Sequence, residues 1–262
     1  MSQKNIRLLI AYDGTNYSGW QRQKNGSTIQ GTIETKLAVI TNEKPVVNGS
    51  GRTDAGVHAL GMAANFQTSS TMAAQSFQNA LNSMLPRDIR VLKTSEAAPG
   101  FHARYDSTGK TYRYDFFTGS IQRPDERLYR THVPHSFDLS KVIPSLKRLV
   151  GSHDFSSFEA AGSRDLTRTD GRGAVRTLFK ATCVADPARP ENFSFYFTGD
   201  GFLRHMVRNM VGTLFLVGAG RIDSSEFTTI LTRKDRSLAG PTAPACGLFL
   251  EQVHFEPLGT ET

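Results

Sequence analysis

The residues of this 262-residue chain best equipped for chemistry lie between Gly49 and His58, in the string Gly-Ser-Gly-Arg-Thr-Asp-Ala-Gly-Val-His. One carboxylate, Asp54, follows one guanidinium, Arg52, by two positions, and glycines on both sides let the backbone approach a ligand closely. An aspartate attacks as a covalent nucleophile only when ionised, and a neighbouring arginine favours that form by Coulomb attraction. Arg52 is the expected partner of Asp54. Glycine and aspartate are also what any turn uses, and from composition alone the turn reading stands ahead.

Three further sets of residues invite a chemical reading. Arg204 and Arg208 fall one turn apart on an expected helix, with His205 and Asn209 beside them and an apolar stripe opposite. Such a face either binds something or is simply solvated. Arg164, Arg168, Arg172, Arg176 and Lys180 recur every fourth residue, but Gly171 and Gly173 break a helix there, which leaves a basic loop running into a strand. His58, His102, His135, His153 and His205, with Asp54 and Asp154, fit no zinc spacing, so polar packing is expected rather than metal ligation.

The elements that must position these groups alternate. Ile6, Leu8 and Ile10 predict a strand ending at Asp13-Gly14, and Ser27 with Gln30 has the form of a capping box before Ile29, Ile33, Leu37 and Ile40 at helical spacing. The Gly49–Gly56 stretch is then a loop off a strand end. Phe77 to Met84 predicts a second helix and Ile89 to Leu92 a short strand, completing a βαβ-like first half. In Thr111–Phe117, Tyr112, Tyr114 and Phe116 share one strand face, and Arg113 and Asp115 the other. Leu139, Val142, Leu146 and Leu149 mark a helix that Pro144 should kink or reset. Phe179–Cys183 and Phe193–Phe197 alternate like strands, Leu203 to Leu214 forms a helical stripe closed by Gly218, Asp223 with Glu226 opens a short helix, and Leu248–Phe255 closes the chain as a strand. The class is α+β. The polar segment between Phe101 and Gly109 is the expected boundary between an N-terminal half, 1–103, carrying the Asp54 loop, and a C-terminal half, 104–262.

Composition narrows the function classes. A hydrophobic content of 38% supports a real core, and a net charge of +7 attracts polyanions without choosing among them. The Leu8–Ala11 run is far too short for a signal sequence or a membrane span, and Cys183 and Cys246 are too few for a disulfide framework, so a cytoplasmic protein with no membrane partner is expected.

Longer strings carry a resemblance. Tyr12–Gln21 with Thr28-Ile-Gln30, Gly51–His58, Lys110–Tyr114, Gly151–Phe158, His205–Gly212 and Thr242–Leu248 resemble, in order, the motifs of the tRNA pseudouridine synthase A family. The resemblance spans nearly the whole chain. It implies a pseudouridine synthase fold, with two ferredoxin-like α+β halves whose mixed, largely antiparallel sheet forms a central cleft. It implies isomerisation of uridine in the anticodon stem-loop of tRNA, at positions 38, 39 and 40, by a homodimer that needs no cofactor and no metal. By the same resemblance Asp54 is the nucleophile, Arg52 assists base flipping, Tyr112 packs on the target base, and Arg208 is a further active-site group. Arg204 and His58 join Arg52, Tyr112 and Arg208 as expected substrate contacts. The Arg- and Gly-rich stretch from Ala160 to Arg176, and Ala245-Cys246, depart from the family's usual residues.

The reaction so implied breaks the bond from C1′ to N1, rotates the uracil and joins C5 to C1′. It involves no redox step and no external atom, which is consistent with the absence of a nucleotide-cofactor fingerprint or metal pattern from the sequence. Asp54 would add to C6 of the base, attack C1′ or deprotonate C2′. A stacked base must first be extruded, and a side chain must compensate the lost stacking. Arg52 has the charge and reach for that, and an aromatic such as Tyr112 stacks on a base with a gain of about 1 to 3 kcal/mol. The competing reading from charge alone is a non-catalytic, basic tRNA-binding module.

Overall fold

The computed structural model describes residues 3–133, 136–163 and 171–259. Along the chain run β1 (Lys4–Tyr12), α1 (Ile29–Thr41), β2 (Asn48–Gly49), β3 (His58–Thr68), α2 (Ala74–Met84), β4 (Ile89–Ala97) and β5 (Gly109–Phe117). There follow β6 (Thr131–His132), α3 (Leu139–Leu149), β7 (Gly151–Asp154), β8 (Val175–Asp186), β9 (Arg189–Gly199), α4 (Met206–Gly218), α5 (Ser224–Arg233) and β10 (Leu248–His254). The chain divides into two compact units, Met1–Thr108 with Phe249–Pro257 and Gly109–Leu248 with Leu258–Thr262. Among the described residues no helix is long and apolar enough to cross a membrane.

In the first unit, β1 lies between β3 and β4 and is antiparallel to both, so β3 and β4 run the same way on either side of it. The short strand β2 pairs antiparallel with β3, and β10 pairs parallel with its start. The expected βαβ arrangement is therefore split: each strand–helix–strand pair has another strand inserted between its members. The cause is β3, an eleven-residue strand that the sequence reading passed over. Its sequence, His-Ala-Leu-Gly-Met-Ala-Ala-Asn-Phe-Gln-Thr, is poor in β-branched residues and buried on both faces, so it lacks the alternation that marks a half-buried strand.

Ile6, Leu8 and Ile10 of β1 are fully buried. On the opposite face the Arg7 guanidinium lies 4.1 Å from the ring centre of Phe255 and 5.4 Å from that of Phe101. The amides of Asn5 and Asn65, both buried, bond each other at 2.9 Å and tie down the 98–103 segment through Ala98, Phe101 and Ala103. The cap of α1 also differs from expectation. Thr28, not Ser27, accepts from the Gly31 N–H, while the Gln30 side chain reaches Arg22 N and Val47 O instead of closing a capping box.

In the second unit the order is β5-β9-β8-β7, all antiparallel, with β6 parallel to β5. Its core is aromatic: the ring of Phe116 stands within 5.2 Å of those of Phe137, Phe193, Phe195 and Phe215. Pro144 neither ends nor resets α3, which runs unbroken from an Asp138 cap. The ring is on the exposed side, so the one backbone bond it forgoes is surrendered where water can reach the carbonyl. Gly218 is the last residue of α4 rather than its stop, and Gly220, at φ +68°, takes the left-handed position beyond it. Asp223 and Glu226 form the expected capping box of α5. Arg164, Arg168 and His135 lie outside the described residues.

Two outcomes follow. Replacing Thr28 by alanine should cost about 1 kcal/mol in denaturant unfolding by removing the α1 cap. Burial pushes the Cys183 thiol up to about 12, so its reactive thiolate is scarce near neutrality; a thiol-directed reagent at pH 8 should label Cys183 only after unfolding, as read by intact mass.

Candidate active site

The loop that carries Asp54 connects β2 to β3, and its backbone is held by the segment that follows β1. Trp20 donates to Thr53 O (3.1 Å), Gly56 donates to Tyr17 O (3.3 Å), and Val57 closes the turn onto Asp54 O (3.2 Å). Tyr12 and Thr53 share a buried hydroxyl–hydroxyl bond of 2.8 Å. At the loop's start, Ser50 donates to Ala63 O and Gly49 packs against Trp20, where a Cβ would come within 2.6 Å of the indole. These contacts leave Asp54 partly exposed while its neighbours Thr53 and Val57 are buried.

Two glycines make the close approach possible. A Cβ on Gly14 would stand 2.0 Å from Val57 O, and one on Gly19 2.5 Å from Thr53 O. Gly19 also sits at φ +93°, which a side chain would strain. The clamp is itself anchored: Asp13 accepts from Thr15, Asp13 N donates to Asp88 O, and the Tyr17 hydroxyl donates to the Asp88 carboxylate at 2.8 Å. Burial, and then that carboxylate, push the Tyr17 phenol well above its ordinary range. From below, Glu34 of α1 accepts from Val47 N (3.0 Å) and pairs with Arg22 (2.9 Å), fixing the approach to β2. The string Tyr12–Gln21 and the string Gly51–His58 are thus one packed object.

Arg52 does not pair with Asp54 as expected. Its side chain is exposed and makes no ion pair among the described residues. His58, expected among the substrate contacts, is 1% exposed. Its ring stacks on Phe249 at 4.7 Å, its Nδ1 accepts from Gly14 N at 3.1 Å, and Asp13 lies at the same distance. A ring so enclosed presents little surface to a polymer, and its bonds make it a support for the Asp13-Gly14 turn.

The remaining strings converge within the second unit. Asn209 of α4, expected on a polar face that either binds something or is solvated, is 1% exposed; its amide donates to Phe158 O (2.8 Å), and its oxygen accepts from Thr242 (2.7 Å) and Arg236 (3.1 Å). Arg208 donates from Nε to Ala243 O (2.7 Å), and Ala243 N returns a bond to Arg208 O. Gly212 lets the 240–243 chain cross the helix, since a Cβ there would lie 1.7 Å from Pro241 O. The Tyr114 hydroxyl bonds Thr131 (2.7 Å) and donates to Pro244 O (2.9 Å), joining β5 to the same loop. Tyr112, on the same strand face, is 8% exposed and meets Phe202 edge-on at 4.9 Å.

Arg204 is not on α4. The helix begins at Met206 after a left-handed His205 at φ 61°, so Arg204 sits in the preceding turn, exposed, and the expected Arg204/Arg208 helical face does not form. Arg236, which the sequence reading did not single out, comes to this region from the turn after α5. No local spacing signals it: only the tertiary fold brings it to Asn209.

The clamp generates a direct expectation. Gly19→Ala should lower thermal stability and speed hydrogen exchange at the Trp20 amide, whereas substitution of the open Gly100, which has nothing within 4 Å, should change neither.

Comparison with known proteins completes the assignment. A family model described as tRNA pseudouridine synthase matches residues 8–106 and 146–256. The tRNA pseudouridine synthase A 1 of Desulfotalea psychrophila is 50% identical over 252 residues, covering 96% of this chain and 100% of that protein. The tRNA pseudouridine synthase A of Lacticaseibacillus casei is 42% identical, over 95% and 98% of the two chains. Among solved structures, a chain from the crystal structure of a Cbf5-Nop10-Gar1 complex aligns at a TM-score of 0.32 and 12% identity, over 80% of this chain and 54% of that one, a likeness too slight to carry an argument. With four-fifths of its length matched by the family model and close full-length relatives bearing the same description, the chain belongs to the tRNA pseudouridine synthase family and is an isomerase of the pseudouridine synthase fold.

Proposed function

We propose that this enzyme converts uridines of the tRNA anticodon stem-loop, those at positions 38, 39 and 40, to pseudouridine with Asp54 as the attacking carboxylate. The observation that carries the reading is the Asp54 loop itself: its backbone is pinned by Tyr17 and Trp20 and its Thr53 hydroxyl by Tyr12, while Asp54 stays partly exposed, as a preorganised nucleophile requires. Every route open to Asp54, at C6, C1′ or C2′, needs the ionised form.

The other roles follow from reach and chemistry. Arg52, exposed at the rim of the same loop, fills the space left by an extruded base and meets phosphate. Tyr112 offers its ring to the uracil, and Arg208 contributes positive charge that favours an ionised carboxylate or holds a phosphate. The bond from C1′ to N1 breaks, the ring turns, C5 joins C1′, and the proton lost from C5 is balanced by one gained at N1. No atom enters or leaves, so the product has the mass of the substrate. The enzyme works as a homodimer in the cytoplasm, where Cys183 and Cys246 remain free thiols.

Incubation of unmodified tRNA with the purified protein, followed by pseudouridine mapping, should show new pseudouridine confined to the anticodon arm, with no added metal or cofactor required. Modification confined to another arm would refute the substrate assignment. Light scattering at working concentration should report twice the 28.8 kDa chain mass; a monomer would refute the dimer.

A further inference from the structure

A cavity of about 390 Å³ opens beside the start of α4, lined by Ala160, Ala161, Arg204, His205, Asn209, Arg236 and Thr242. No carboxylate is among these residues. Arg236 is held flat by three neutral acceptors: Nη1 donates to Ala239 O, and Nη2 to Asn209 Oδ1 and Thr242 Oγ1, at 3.1 to 3.2 Å. Those bonds fix the plane of the guanidinium but do not neutralise it, and two of its five N–H groups stay uncommitted among the described residues. Arg204, on the other wall, is exposed, and its guanidinium forms no ion pair or hydrogen bond among the described residues.

Arg204 and Arg236, neither of them in an ion pair among the described residues, line one cavity, and two like charges there favour a bound anion. Asn209 is itself fixed by Phe158 and Thr242, so Arg236 stands on a rigid base. His205 holds the left-handed conformation at the cap of α4 with no side-chain capping bond, and the thirteen-residue helix adds its positive end to the same space. We propose that this cavity is a subsite for a backbone phosphodiester of the RNA substrate, gripped between Arg204 and Arg236. The proposal rests on the tRNA reading above and deepens it: the planar fork of Arg236 suits phosphate oxygens, and the site reads backbone rather than base.

The test is tRNA binding by the Asp54→Asn protein, in which turnover is removed, across roughly 50 to 200 mM salt. Adding Arg204→Gln should weaken binding several-fold at low salt and reduce the slope of log affinity against log salt by about 0.7 to 0.9, the loss of one phosphate contact. Arg233→Gln removes the same charge from the exposed end of α5 and should leave the slope within error of its parent. Equal shifts from the two variants, or none from Arg204→Gln, would overturn the subsite while leaving the tRNA reading intact. Failure of the Asp54→Asn parent to bind tRNA at all would overturn both. Because the Arg204 side chain is exposed and forms no hydrogen bond or ion pair among the described residues, loss of folding does not confuse the result.

Discussion

The constraint on which the rest depends is the close backbone contact between the segment after β1 and the loop that carries Asp54. Hydrogen bonds from Trp20 to Thr53 and from Gly56 to Tyr17 hold two irregular chains together where neither has regular structure of its own. They meet only because Gly14 and Gly19 have no side chains to intervene. Backbone groups that would otherwise need water are satisfied inside the clamp, and this holds the shape of the loop. The side chain of Asp54 is partly exposed, whereas Asp13 is a turn-forming aspartate whose oxygen is taken up by Thr15.

The second unit solves a parallel problem with a buried amide. Asn209 receives Thr242 and Arg236 on its oxygen and gives its amide to Phe158, so three distant stretches of chain are fixed at one side chain. Gly212 then lets the 240–243 strap lie across α4, and Tyr114 holds the far end of that strap at Pro244. Arg208, bonded to Ala243, is positioned by the same assembly. Both units therefore lock the backbone around a site-string side chain, Asp54 in one and Arg208 in the other, with glycine at the crossing point each time.

Much of this was legible from residue patterns. The alternation of Ile6, Leu8 and Ile10, the capping pair Asp223 and Glu226, and the stripe from Met206 to Leu214 report local burial, and local burial is what periodicity encodes. The Asp54 string was conspicuous for its glycines, although only its resemblance to a family raised it above an ordinary turn. What escaped was tertiary. β3 is buried on both faces and has no period to detect, and Pro144 is tolerated because its ring faces water. The burial of Asn209 escaped because its polar partners come from elsewhere in the chain, and Arg236 carried no signal at all. Helical spacing misplaced Arg204 because a left-handed residue at His205 delays the helix by one turn's worth of geometry.

The central claim is that one ionised carboxylate, fixed by this clamp, carries out the isomerisation. It is tested most directly by comparing single-turnover pseudouridine formation on tRNA by the native protein and by Asp54→Asn, with tRNA binding measured alongside. The account predicts that the amide variant binds tRNA and forms no detectable pseudouridine. Pseudouridine formed at the native rate by Asp54→Asn would contradict it.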